Sequence, residues 1–276
     1  MTNDLLKLYS ILLDSDKNYI NESKIKKITN EYISLEYAYA LLISGLFNLD
    51  IEDKHKVFFN EYILPSIKLL DSKKYLENPY YKNIIFKNKK FKDWEFKMNK
   101  YKPYQAFVYN DFIDIDGKIL PQIGFFDKPF YYPAVYQKNH LWMSITPNEI
   151  ETMQEDIDNC FGRVITFGLG LGYFTYMTSN NDNVNEVFVI EKDKNIISLF
   201  CKEILPQFPN KDKIKIINAD CFTYLENLDD FQYAYFDIWH DVSDAIDLYK
   251  RIKPYEEKYP NTIFRYWIYN TFKYYL

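Results

Sequence analysis

A chain of 276 residues with 47% hydrophobic and 26% charged side chains has the composition of a globular protein, which excludes a disordered polymer. Its formal net charge of −5 gives no global reason to expect a polyanionic partner. Three cysteines, Cys160, Cys201 and Cys221, are too few and too far apart for a disulfide framework or a zinc cluster, so a reducing compartment is expected and a metal site is not.

The chain opens with polar Met1–Asp4, and Asp14–Asn18 is charged, so no secretory leader is read. Nor does any apolar run approach the ~20 residues of a membrane span. A soluble cytoplasmic protein with no membrane partner is the expectation. The first residues have helical spacing. Leu5, Leu6, Tyr9, Leu12 and Leu13 form one apolar stripe, and Leu35, Tyr39, Leu42, Ile43 and Leu46 another. Pro65 and Pro79 suit helix starts or ends, and residues 1–105 are read as a helical N-terminal region. Within it, Lys82 to Tyr104 carries eight lysines against two acids, interleaved with Phe86, Phe91, Trp94, Phe96 and Tyr101. That stretch is either a surface for single-stranded RNA or a solvated segment of a lysine-rich, aromatic-rich protein.

From 106 to 145 the texture is that of a small β-hairpin connecting segment. "AFVYNDFIDIDGKIL" alternates loosely around the turn signal Asp116-Gly117, and the prolines of "PQIGFFDKPFYYPAVY" suit edge strands better than central ones. At "MSITPNEIETMQEDI" a helix start is predicted, with Thr146 as N-cap, Pro147 at the first position and Glu149 completing a capping box.

Beyond it, strand-like and helix-like runs alternate. "RVITFGL", "EVFVIE", "KIKIIN", "YAYFDIW" and "NTIFRYWIY" are short, apolar and rich in β-branched or aromatic residues, with helical stretches between them. Such alternation specifies a parallel α/β sheet over 146–276, with ligands expected at the carboxyl ends of its strands.

The strand ends carry the chemistry. Average usage would place roughly 19 glycines in a chain this long, yet there are seven, and three of them are Gly168, Gly170 and Gly172 in a single pentapeptide. The pattern is G-x-G-x-G, and Tyr173 holds the place of the last glycine in the dinucleotide fingerprint, which removes the dinucleotide oxidoreductase reading. A glycine-rich strand-to-helix turn either meets an anionic group with its backbone amides or is a tight turn with no ligand. Glu191 ends the second strand, where an acid accepts bonds from ribose hydroxyls or simply caps and hydrates. Asp220 comes after the third strand; it either accepts from an adenine amino group, with the amide of Cys221 meeting a ring nitrogen, or caps the next helix, and the two roles are compatible. "FDIWHD" ends the fourth strand. Asp237 is the first candidate for a base there and His240 the second, against a capping acid and a solvated histidine; Trp239 walls a pocket or packs.

This order of motifs resembles the class I S-adenosylmethionine-dependent methyltransferases, over roughly Gly162 to Trp267. The resemblance implies a Rossmann-like parallel-sheet methyltransferase domain at the C-terminus, with S-adenosyl-L-methionine as cofactor. It implies that Gly168, Leu169, Gly170 and Gly172 meet the methionine part, Glu191 the ribose hydroxyls and Asp220 the adenine, with Tyr173, Lys192 and Cys221 also among the cofactor-binding residues. Thr166 stands where many members carry an acid for the cofactor's amino group, and no N-P-P-Y or D-P-P-Y comes after strand four. A narrower likeness is to the spermidine synthases, which also place a β-hairpin region and a helix with an acid and a methionine, here "NEIETMQED", before the glycine loop. Their aspartate-rich signature after strand four is replaced by Asp237-Ile238-Trp239-His240-Asp241, so the likeness is taken for architecture. The implied function is methyl transfer to an acceptor, a small molecule ahead of RNA. Aminopropyl transfer and a non-catalytic cofactor-binding module stand as alternatives.

Overall fold

The computed structural model describes residues 3–14, 19–29 and 32–276, with the side chains of residues 3, 4 and 6 outside that description. The side chain of Leu6 in the first apolar stripe, and residues Met1, Thr2 and Ser15–Asn18 of the two polar stretches, therefore lie outside that description. In chain order the strands are β1 (Ile67–Leu69), β2 (Lys89–Phe91), β3 (Trp94–Tyr101), β4 (Phe107–Ile115), β5 (Lys118–Phe125), β6 (Phe130–Gln137), β7 (His140–Ser144), β8 (Gly162–Phe167), β9 (Val184–Glu191), β10 (Ile214–Asn218), β11 (Tyr233–Phe236) and β12 (Ile263–Tyr266). The chain divides into two compact units, Met1–Lys74 with Lys100–Tyr131, and Tyr75–Asn99 with Tyr132–Leu276. Among the described residues, no helix is long and apolar enough to cross a membrane.

The first unit sets helices Asn3–Leu12, Glu22–Ile28 and Leu35–Leu46 beside a three-stranded sheet of order β1-β5-β4. Asn21 and Ser34 accept backbone N–H bonds at the starts of the second and third helices, as short polar caps do. The apolar stripes are buried against the sheet at Leu5, Tyr39 and Ile43, with Ile123 and Phe125 of β5 in the same core. Tyr39 stacks on Phe125 at 4.2 Å, and its hydroxyl donates to the Tyr104 carbonyl, which satisfies the polar end of this buried ring. At the β4–β5 turn, Asp116 and Gly117 both have positive φ, 52° and 79°, the geometry that matches strand twist in a two-residue hairpin.

The expectation that the prolines mark edge strands is corrected at Pro133, in β6 between β3 and β7, and at Pro121, which lies in the central strand β5. Pro121 is tolerated because β1 pairs only with Ile123, Gly124 and Phe125, and because the β4 register shifts between Asn110 and Ile113, opposite Pro121. Strands also occur inside the stretch read as helical. In β3 the order Trp-Glu-Phe-Lys-Met-Asn alternates apolar with polar, and Trp94 and Phe96 are buried on one face.

The second unit holds most of a sheet of order β2-β3-β6-β7 and all of a parallel sheet of order β10-β9-β8-β11-β12. Counted within the parallel sheet, that order is 3-2-1-4-5, the doubly wound arrangement in which the connection reverses beside the first strand. Helices Tyr173–Ser179, Lys194–Glu203, Cys221–Leu225 and Val242–Ile252 alternate with its strands. The strands are buried on both faces: Val164, Ile165, Phe167, Val187, Val189, Tyr235 and Phe236 have no exposed surface. Phe167 stacks on Phe236 at 4.6 Å and Phe174 on Tyr235 at 4.0 Å, so aromatic residues do the filling that branched aliphatics do elsewhere. The expected Rossmann-like fold class is what the structure shows.

Candidate functional site

A cavity of about 560 Å³ lies within the second unit at the carboxyl ends of β8 to β11, where the connections reverse. From β8 it takes Gly168, Leu169 and Gly170, and from β9 it takes Glu191 and Lys192. Asp220 and Cys221 reach it from β10, and Asp237 and Trp239 from β11.

Gly168 sits at φ +102°, and a Cβ there would overlap the backbone carbonyl of Asp237, so two strand ends meet through a bare Cα. The loop amides are partly spent within the protein. Leu169 N–H donates to Glu191 Oε2 at 3.2 Å, and Leu171 N–H donates to the sulfur of Met143 at 3.2 Å. Two of the candidates lie elsewhere. Gly172, at φ +71°, faces the ring of Phe200 and is not among the cavity's lining residues; it is the left-handed N-cap of a seven-residue helix. Tyr173 is wholly buried, and its hydroxyl accepts from Asn78 at 2.8 Å, because the helix start turns this side chain into the core.

Glu191 has both carboxylate oxygens tied to backbone: Oε2 to Leu169 and Oε1 to Asp193 N–H at 2.8 Å. Burial raises its pKa while the two amides lower it. Each oxygen keeps lone-pair capacity for a further donor, such as a ribose hydroxyl. Asp220 caps helix Cys221–Leu225 through Oδ1 alone, accepting from Phe222 and Thr223 N–H at 2.9 and 3.2 Å, so Oδ2 remains for a second donor. Phe222 lines the same end, with the Arg251 guanidinium 3.7 Å from its ring centroid.

On the other side of β8 stands a different pair of acids. Asp237 is half-buried and lines the cavity; burial pushes its carboxyl up to about 7. Glu149 also lines it and is 6% exposed; burial and the charge of Asp237 push it well above the usual carboxylate range. Thr146 is the helix N-cap and Pro147 the first residue of Pro147–Asn159, as the sequence predicts, but Thr146 makes no capping side-chain bond. The expected capping box is absent: Glu149 turns into the cavity, and its Oε2 has no hydrogen-bond partner. The capping pattern in the sequence concealed a site residue.

His240 is not brought in. It is not among the lining residues, its Nε2 is 2.8 Å from the Leu141 carbonyl, and its Nδ1 is 3.6 Å from Asp241. The loop after β11 winds into an Asp241–Asp244 capping box, which turns the imidazole away. Trp239 does wall the cavity, with its Nε1–H buried and unpartnered. Indeed all four tryptophans of the chain, Trp94, Trp142, Trp239 and Trp267, line this one cavity. That enrichment of a scarce residue is the signal that sequence reading could have weighed. In the lysine-rich 82–104 stretch, Trp94 and Phe96 are buried, which removes them from a base-stacking surface, while Phe91 is 39% exposed.

No family model and no curated protein matches the chain. Similar solved structures include a precorrin 8W decarboxylase from Methanobacterium thermoautotrophicum, at 17% identity and TM-score 0.32 over 41% of this chain. A protein from Klebsiella pneumoniae assigned as an O-methyltransferase matches at 15% and 0.27 over 34%, and a spermidine synthase from Thermotoga maritima at 16% and 0.31 over 40%. These matches span 56%, 43% and 40% of the respective chains. All three TM-scores lie below 0.5, and a functional reading rests on the cavity's own residues.

Proposed function

We propose that this protein is an S-adenosylmethionine-dependent methyltransferase acting on a small molecule, with Asp237 as its general base. The observation that carries the reading is the convergence of Gly168–Gly170, Glu191 and Asp220 on one cavity that Asp237 also lines. The residues fit a nucleoside cofactor. Glu191 has lone pairs left for two ribose hydroxyls and Asp220 Oδ2 is unused. When bound, S-adenosylmethionine supplies an electrophilic methyl group on a sulfonium sulfur.

The protein's part is alignment, exclusion of water and proton removal. Trp142, Trp239 and Trp267 line the cavity, and Trp239 is held against Tyr266 and Phe272 at ring-centroid distances of 6.4 and 5.7 Å. Asp237 would accept the proton that an acceptor's nucleophile gives up, and a carboxyl held near 7 suits that role at neutral pH. One specific observation favours a second reading, aminopropyl transfer. Glu149 and Asp237 give the cavity more acid than a neutral acceptor requires.

Calorimetric titration separates these readings. S-adenosylmethionine, S-adenosylhomocysteine, decarboxylated S-adenosylmethionine and NAD are compared on the wild type and on Glu191→Ala. Micromolar binding of the first two, weakened by the substitution, is expected. Preference for the decarboxylated form transfers the assignment to aminopropyl chemistry, and binding of none removes the enzyme reading.

A further inference from the structure

Five acids line the cavity, Glu149, Glu191, Asp193, Asp220 and Asp237, against two cations, Lys192 and Arg251. Three of the acids have protein partners. Glu191 and Asp220 hold backbone amides, and Asp193 caps helix Lys194–Glu203 while accepting from Trp94 Nε1 at 3.0 Å. Of the two cations, Arg251 is occupied by the ring of Phe222. The remaining two are Glu149 and Asp237, to which no amide or cation of the described residues donates. A carboxylate oxygen enclosed and unpartnered is costly unless a ligand supplies the missing donor.

A second group is unpartnered in the same cavity. Trp239 is 4% exposed and its Nε1–H has no acceptor. An indole N–H only donates, so its missing partner is an oxygen or nitrogen lone pair. A carboxylate in that role would sit beside two acids and be repelled; a neutral oxygen would not. The indole walls add attraction for an organic cation.

We infer that the acceptor end of this cavity takes a small organic ammonium that also carries a neutral hydrogen-bond-accepting oxygen, the cation meeting Glu149 and Asp237 and the oxygen meeting Trp239 Nε1–H. This rests on the methyl-transfer reading for the amine's role as acceptor, but its binding does not depend on that reading. An amino alcohol satisfies both orphaned groups; an alkyl diamine satisfies only the acids.

The test is a titration panel on the full chain saturated with S-adenosylhomocysteine and repeated without it: 3-amino-1-propanol, n-butylamine and 1,3-propanediol. The amino alcohol is expected to bind about tenfold more tightly than butylamine, and butylamine about tenfold more tightly than the diol, one charge-assisted or buried hydrogen bond per step. Glu149→Gln should reduce the advantage of the amines, since Asp237 alone then meets the cation, and Trp239→Phe should erase the advantage of the oxygen. Equal affinities for butylamine and the diol on the wild type overturn the cation site without recourse to any variant. Equal affinities for the amino alcohol and butylamine overturn the oxygen site. S-adenosylhomocysteine affinity is read separately: its loss with the amine order intact sinks the methyltransferase reading alone, and its retention with the order absent sinks this inference alone.

Discussion

Glu191 and Asp220 on one side of β8, and Glu149 and Asp237 on the other, are the same functional group in opposite circumstances. The first two are answered by the backbone: four amide N–H groups within 2.8 to 3.2 Å hold them in place. Burial raises the pKa of Glu191 against the pull of two amides; at the second two it acts with no donor to oppose it, joined at Glu149 by the charge of Asp237. A carboxylate already satisfied by amides is a fixed acceptor, suited to hydroxyl and amino groups of a constant cofactor. A carboxylate left unsatisfied is a stored demand, suited to a proton or a cation that arrives with a variable acceptor. One sheet edge thus offers both by changing only what surrounds the acid.

The comparison breaks most directly at Asp237. Asp237→Asn keeps the shape and removes the base, so turnover should fall by roughly 10²- to 10⁴-fold while S-adenosylhomocysteine affinity stays within about twofold. Unchanged turnover would show that Asp237 belongs with the fixed acceptors. Next in size is Glu191→Ala, which removes an acceptor that already holds Leu169 and Asp193. Cofactor affinity should drop about 10- to 100-fold in a calorimetric titration, the worth of one or two charge-assisted hydrogen bonds. If it does not change, the satisfied acids are structural and the cofactor assignment fails with them.

How much of this could be read from the chain divides along the same line. The five-stranded sheet announced itself in apolar runs separated by helical ones, and the strand-end acids Glu191, Asp220 and Asp237 came from knowing where such sheets bind. Those positions depend on local chain direction, which sequence pattern records. Glu149 does not: its residue pattern is that of a capping box, and only the enclosure of the helix start beside Asp237 diverts the side chain. His240 errs the other way, since a histidine after a catalytic-looking strand end was held off the cavity by the Leu141 carbonyl, ninety-nine residues away in sequence. Tyr173 and Gly172 likewise belong to the core through Asn78 and Phe200. In β3, alternation was present but masked by lysines, and its meaning depended on knowing which face is covered.

The unsatisfied pair should also be visible in stability. Both folded-state pKa values lie above those of an unfolded chain, so the native state binds the extra protons and stability is greatest below about pH 4 to 5 for these groups. It declines as pH rises toward about 7, where Asp237 gives up its proton. Glu149→Gln removes one of the two demands and supplies Asp237 with an amide donor. Its Tm at pH 8 should exceed that of the wild type by about 3 °C, on the order of 1 to 2 kcal/mol, with the gap closing near pH 4. A gap of the same size at both pH values would mean that packing rather than charge sets it. A Tm below the wild type at pH 8 would mean that Glu149 has a donor after all.

The smallest effect is expected at Asp220, and it sharpens the comparison from the satisfied side. Capping uses Oδ1 only, and an asparagine carbonyl caps nearly as well, so Asp220→Asn should leave Tm within about 1 °C. The change falls on Oδ2, which becomes an amino group and can no longer accept from an adenine amine. S-adenosylhomocysteine affinity should weaken about fivefold, near 1 kcal/mol, with no shift in the pH dependence of turnover. Because helix start and ligand contact are assigned to different oxygens of one carboxylate, a loss of affinity without a loss of stability is the signature. Loss of both together would place Asp220 wholly in the cap, and the adenine contact would then fall to the backbone at Cys221.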